Sequence, residues 1–208
     1  MIRFGLVKRL GDVFLSAAAL LLLLPVFLLV WCAVRAVLGG PAFFIDTRAG
    51  KNGRPIRIVK FRSMREALGP DGRPLPDAER LGAFGRWLRR SSLDELPQLA
   101  SVLSGDMSLV GPRPLPCVYV PRYSDRQSVR LRVRPGLTGW AQIHGRNAVN
   151  WPERLEYDAQ YVDMLGTWYW PLVDLWIIAV TAVQVLWQVA TGRGVSAPGS
   201  ATMQEFLP

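Results

Sequence analysis

VFLSAAALLLLLPVFLLVWCAV, residues 13–34, contains no charged side chain. At about 1.5 Å of rise per residue it is long enough to cross a bilayer as a helix. Pro25 stands in its middle, where it removes a backbone hydrogen bond and strikes the carbonyl of Leu21. Both flanks are basic: Arg3, Lys8 and Arg9 precede the run, and Arg35, Arg48, Lys51, Arg54 and Arg57 follow it. The preference of basic flanks for the cytoplasmic side applies to both ends. A straight span satisfies one end. A helix that enters, bends at Leu24-Pro25 and returns satisfies both. The residues leave these two readings open. Asp12 marks the entry point, within pairing range of Lys8 and Arg9 one turn earlier. A cleaved secretory leader fits poorly, given the length of the run and the want of a small-residue cleavage site.

A second apolar stretch, LGTWYWPLVDLWIIAVTAVQVLWQVA, covers residues 165–190. At about 100° per residue, Asp174, Thr181, Gln184 and Gln188 share one narrow stripe. Its tryptophans favour the bilayer interface. An interfacial helix is predicted, since Asp174 is costly in hydrocarbon; a buried core helix is the alternative.

Among 208 residues, 25 Lys and Arg oppose 16 Asp and Glu, a formal charge of +9. Such a chain seeks polyanions, and its apolar runs direct that preference to a membrane surface or to phosphorylated molecules. With two cysteines, Cys32 and Cys117, neither a disulfide framework nor a zinc site is expected. No nucleic-acid-binding motif is present. Neither G-x-x-x-x-G-K-[ST] nor G-x-G-x-x-G occurs. The single histidine, His144, has no local acid or nucleophile beside it.

Residues 42–61 predict a β-hairpin turning at Asn52-Gly53. Residues 66–80 are a polar Pro/Gly loop, and LGAFGRWLRR (81–90) and 96–103 are short helices. GDMSLVGPRPLP (105–116) is a stiff extended loop that mounts Arg113 with little freedom to lose. RPGLTGWAQIHGRN (134–147) combines Gly136, Gly139 and Gly145, which allow close approach to a ligand, with Arg146 as a phosphate clamp.

SSLDELPQL, residues 91–99, places Asp94 beside Glu95 just after Arg86, Arg89 and Arg90. One reading is a capping box from Ser92 to Glu95. Pro97 disfavours it, because it would fall at the fifth helical position; with Asp94 as N-cap, Pro97 falls at the third and is tolerated. The other reading is a working acid pair at a helix mouth.

KRLGD (8–12), KFRSM (60–64), SSLDELPQL, GDMSLVGPRPLP, RPGLTGWAQIHGRN and GRGVSAPGSATM (192–203) together resemble the bacterial sugar transferase family. Within it they are most similar to the small monotopic phosphoglycosyl transferases, and the tail is similar to that of enzymes related to the bacillosamine-phosphate transferase of N-glycosylation. The resemblance implies a mostly helical α+β monotopic membrane protein. Residues 1–38 would form a Pro-broken re-entrant helix, 39–164 a catalytic domain on the cytoplasmic face of the bacterial inner membrane, and 165–208 an interfacial helix and tail. It implies transfer of a sugar 1-phosphate from a UDP-sugar, an N-acetylated hexose by the tail, to polyprenyl (undecaprenyl) phosphate with release of UMP. Asp94 would be the nucleophile and a Mg²⁺ ligand, with Glu95 as its partner. Arg89, Arg113, Arg146, Lys60, Arg62 and Asp158 would serve the phosphates, with Asp158 alternatively tethering the arginines. Lys8, Arg9 and Asp12 match the family's entry motif. Leu24 departs from the family's frequent Ser before the helix-breaking proline, removing a hydroxyl that supports the bend. UDP-sugar, polyprenyl phosphate and membrane phospholipid are the expected partners, with no nucleic acid; a non-catalytic lipid-surface adaptor is the rival class.

Overall fold

The computed structural model describes residues 2–145, 149–192 and 206, with side chains from residue 5 onward. Arg146 and the tail segment 193–203 lie outside the described residues. The chain opens with helix α1 (Ile2–Leu38), which runs through Pro25 as one element. Pro25 does not divide the run into two helical elements, and the expected break is corrected to that extent. Proline removes one hydrogen bond, but leucine-rich flanks are strong helix formers and carry the element across it.

Both ends of α1 dock on the rest of the protein. Near its start, Arg9 donates to the carbonyls of Val102 and Leu103, and Asp12 accepts the amide of Leu109 at 3.1 Å. Lys8 pairs with Asp174 at 2.5 Å. Asp12 therefore serves a backbone amide rather than the neighbouring cations the sequence offered. Near the other end, Val30 and Val34 are buried with Ala42, Phe61 and Leu88. Between these docks Leu21, Leu22, Leu24 and Pro25 are exposed.

Strands β1 (Phe43–Ala49) and β2 (Pro55–Phe61) form the predicted antiparallel hairpin, with Phe43 opposite Phe61. Asn52 and Gly53 take positive φ at the turn, the conformation for which Asn-Gly is suited. Two short helices follow, α2 (Asp77–Arg80) and α3 (Ala83–Arg90), and then α4 (Gln98–Ser104).

A second sheet was hidden in segments read as loops. Strand β3 (Ser108–Val110) pairs in parallel with β4 (Gly136–Thr138), with helix α5 (Asp125–Ser128) between them. The glycines of this region serve the backbone rather than a ligand. A Cβ on Gly136 would lie 2.1 Å from the amide nitrogen of Gly111, and one on Gly139 would lie 2.1 Å from the carbonyl oxygen of Gly111.

Helix α6 (Trp140–Ile143) leads to α7 (Trp151–Met164), which Asn150 caps by accepting the amide of Glu153 at 2.9 Å. Helix α8 (Trp170–Thr191) carries the predicted polar stripe, and that stripe faces the protein. Asp174 meets Lys8 and the Tyr161 hydroxyl, Thr181 meets Thr138 at 2.6 Å, Gln184 donates to Ile143, and Gln188 is buried. Leu172, Leu175, Trp176, Val183, Leu186 and Trp187 are exposed on the outside. α1 and α8 contain 18-residue windows with mean hydropathies of 2.9 and 1.8, and each helix is long and apolar enough to cross a membrane.

Candidate active site

The dyad lies on a 3-10 turn, Leu93–Glu95, between α3 and α4. Ser92 precedes it in the left-handed region, at φ 55° and ψ 13°, and its side chain makes no capping bond. That conformation costs a non-glycine residue roughly 1 kcal/mol, and it turns the chain sharply out of α3. Neither sequence reading of the cap is realised: Pro97 is the N-cap of α4, and Asp94 sits in the turn before it. Since Pro97 has no amide proton, it suits a helix start, where that proton would go unused.

Glu95 is held from two sides. Its Oε1 accepts from Lys60 Nζ at 2.6 Å and from Arg113 Nη2 at 3.0 Å. Burial works to raise its pKa, but the Arg113 and Lys60 charges and hydrogen bonds override this and hold Glu95 well below the usual carboxylate range. Asp94 is 7% exposed, and among the described residues its carboxylate has no hydrogen-bond or ion-pair partner. Burial first, then the Glu95 charge, push its pKa up to about 6, against the pull of Lys60, Arg89 and Arg113. Neighbouring carboxylates with pKa values driven apart mark a functional site.

Sequence reasoning and structure agree on the residues brought together: Asp94, Glu95, Lys60, Arg89 and Arg113. Arg89 is steadied by the Ser63 hydroxyl, which accepts from its Nε at 2.9 Å. Arg62 is not among them. It is buried against the carbonyls of Leu38 and Gly39 at the end of α1 and pairs with Glu66 at 3.0 Å. This corrects its reading as a phosphate ligand: a cation at a helix C-terminus satisfies carbonyls that would otherwise be orphaned. His144 accordingly plays a local part, bonding Trp140 and stacking on Tyr157.

Asp158 takes the tethering role. It is fully buried and receives Arg130 Nε and Nη2 at 3.0 Å each. The same guanidinium donates to the Tyr123 hydroxyl at 3.1 Å and to the backbone carbonyl of Arg113. Sequence reading missed Arg130 as a distinct element. It was one arginine in a basic stretch, and its partner lies on another helix. Arg154 is buried nearby; burial first, then the Arg113 and Arg130 charges, pull its pKa down to about 10, with Asp158 opposing.

An apolar groove of about 520 Å³ opens between α1, β2 and α4, with Leu20, Phe27, Phe43, Val59 and Pro97 among its walls. Pro97 places one wall two residues from the dyad.

Comparison with known proteins fixes the family. The model of the bacterial sugar transferases matches residues 3–188. The chain belongs to the bacterial sugar transferase family. A relative in Bacillus subtilis, the uncharacterized sugar transferase EpsL, is 42% identical over 97% of this chain and 96% of its own length. The Escherichia coli UDP-glucose:undecaprenyl-phosphate glucose-1-phosphate transferase is 38% identical over 85% of this chain and 39% of its own length. The Salmonella typhimurium undecaprenyl-phosphate galactose phosphotransferase is 38% identical over 86% and 40%. The chain thus spans about two-fifths of these longer enzymes and nearly all of the shorter one. This sugar transferase is an enzyme of the phosphoglycosyl transferase kind.

Proposed function

We propose that this sugar transferase moves a sugar 1-phosphate from a UDP-sugar to polyprenyl phosphate through a covalent intermediate on Asp94. The observation that carries the reading is a buried carboxylate with no partner among the described residues, set among Lys60, Arg89 and Arg113. A nucleophile committed to ion pairs would have to break them to attack; Asp94 is spared that cost, while Glu95 absorbs two of the neighbouring cations. The names of the Escherichia coli and Salmonella relatives supply the substrate class.

In the first half-reaction an Asp94 oxygen attacks the β-phosphorus, the bond from that phosphorus to the bridging oxygen breaks, and UMP leaves with the electron pair. In the second, an oxygen of the lipid phosphate attacks the same phosphorus. The bond to Asp94 breaks, and the carboxylate is regenerated. Arg113, Lys60 and Arg89 screen phosphate charge in both halves. Their rigid mounts lower the cost of ordering them.

The residues fit Mg²⁺. Asp94 offers unengaged carboxylate oxygens, and Glu95 stands beside it. Mg²⁺ takes one or two carboxylates and completes its shell with phosphate and water oxygens. When bound, it would neutralise the charge of the diphosphate.

The donor is read as an N-acetylated UDP-hexose from the tail, while the named relatives use glucose and galactose. The test is UMP release from UDP-GlcNAc, UDP-GalNAc, UDP-di-N-acetylbacillosamine, UDP-glucose and UDP-galactose, first without lipid phosphate. The expected result is at most one UMP per enzyme and a sugar-phosphate mass adduct on Asp94 with the true donor. Turnover that begins only when lipid phosphate is added, with no adduct, would replace this mechanism with direct transfer.

The active site is read as facing the cytoplasm at the inner membrane, with α1 re-entrant. The support is that both basic ends of α1 dock on one body while its apolar middle stands clear. Single cysteines at Gly5 and Lys51, in a chain with Cys32 and Cys117 replaced by Ser, should both react with an impermeant thiol reagent from the cytoplasmic side. Protection of one of the two would leave a simple span.

A further inference from the structure

The family match ends at residue 188, yet Phe206 is part of the folded body. Its side chain is 4% exposed and packs with Leu115, Tyr119 and Leu155. Three aromatic rings surround it: Tyr119 at 5.6 Å, Trp151 at 5.4 Å and Tyr123 at 5.9 Å between centroids. Its carbonyl oxygen accepts from Arg122 Nη1 at 2.6 Å. A buried phenylalanine held by one edge-on ring, two tilted rings and a charge-assisted hydrogen bond is anchored by contacts that are favourable in kind.

The pocket it fills adjoins the active site. Leu115 lies two residues beyond Arg113 on the proline-stiffened segment. Tyr123, against which Phe206 packs, accepts from Arg130 at 3.1 Å. Arg130 donates to the carbonyl of Arg113, whose guanidinium meets Glu95. Two contiguous routes therefore lead from Phe206 to Arg113, one through Leu115 along the chain and one through Tyr123 and Arg130.

We propose that Phe206 is a positioning residue: seated in the Tyr119–Tyr123–Trp151 pocket, it backs the segment that carries Arg113 and thereby fixes Arg113 for the phosphates of the donor. This rests on the reading of Arg113 as a phosphate-binding residue. Emptying the pocket frees Leu115 and the Tyr123 ring, so the segment carrying Arg113 loses its backing. Donor binding then depends on a residue that lies beyond the span of the family model.

The test uses the full chain in detergent or nanodiscs, with Phe206→Ala, Phe206→Leu and Arg113→Lys alone and combined. Displacing a positioning group by about 1 Å costs on the order of 100-fold. Phe206→Ala is therefore expected to lower kcat/KM for the UDP-sugar by about 10- to 100-fold, mainly through KM. Backbone amides of residues 112–123 should exchange faster in it. Phe206→Leu should recover part of the loss, and Arg113→Lys should cost less in the Phe206→Ala background than alone, as coupled sites do. If Phe206→Ala does not fold, Phe206→Leu carries the same readouts. Unchanged donor kinetics in a folded variant, or strictly additive losses, would overturn the latch while leaving the role of Arg113 intact. An Arg113→Lys enzyme with normal donor kinetics would instead overturn the underlying reading.

Discussion

Asp94→Asn is expected to abolish sugar-phosphate transfer and, at neutral pH, to make the folded protein more stable. Removing a nucleophile typically costs about 10⁴- to 10⁶-fold in turnover, and no neighbouring group can replace it, since Glu95 is engaged by Lys60 and Arg113. The stability gain follows from the same burial that makes the site. The Asp94 pKa stands at about 6 in the fold against 3.8 ordinarily, a gap worth roughly 3 kcal/mol when the group is charged in both states. The sign is that of a raised acid: folding favours the proton. The penalty is complete above pH 6, shrinks between 6 and 3.8, and is absent below. The variant should therefore show a higher thermal midpoint at pH 7.5, and the difference should close as the pH is lowered toward 4. Equal midpoints at pH 7.5 would mean that Asp94 is solvated or paired in solution. In the unaltered enzyme, activity should fall about tenfold per pH unit below about 6, as Asp94 takes up its proton.

The second large effect concerns the layer behind the dyad. Asp158→Ala leaves Arg130 buried without its counter-charge, and breaking such a pair costs about 3–5 kcal/mol. The expected result is a marked drop in thermal midpoint together with weaker donor binding, because Arg130 no longer holds the Arg113 carbonyl firmly. Replacing both partners, as Arg130→Met with Asp158→Leu, should restore much of the stability but not the donor binding. A raised KM with no change in midpoint would instead make Asp158 a direct phosphate-site residue.

How far the sequence could be read depended on how local each signal was. The hairpin was legible because Asn52-Gly53 sits between a run of strand formers and an alternating run, and the dyad because its acids adjoin a basic helix. The pairing of β3 with β4 was not: each strand has three residues, too few for a period to register, and the segments are far apart in the chain. Arg62 and Arg113 look alike as arginines within motifs that resemble the family's; what separates them is the end of α1, whose orphaned carbonyls claim one of them. The polar stripe of α8 was evident from its spacing, but its direction was not, because periodicity says which residues share a face and not what that face meets. Ser92 misled for a related reason. A capping box assumes a helix starts there, whereas the left-handed turn and Pro97 delay the start until Gln98.

The ion pair between Lys8 and Asp174 has a mechanical consequence. It joins the two lipid-suited helices near the ends of the described chain, and the Tyr161 hydroxyl bridges Asp174 to the carbonyl of Val110. On the proposed membrane placement, this ion pair makes the helices a raft with shared depth and tilt instead of two separate floats. A bilayer that thickens or thins acts on that raft as one body, and the load path ends at Val110, three residues ahead of Arg113.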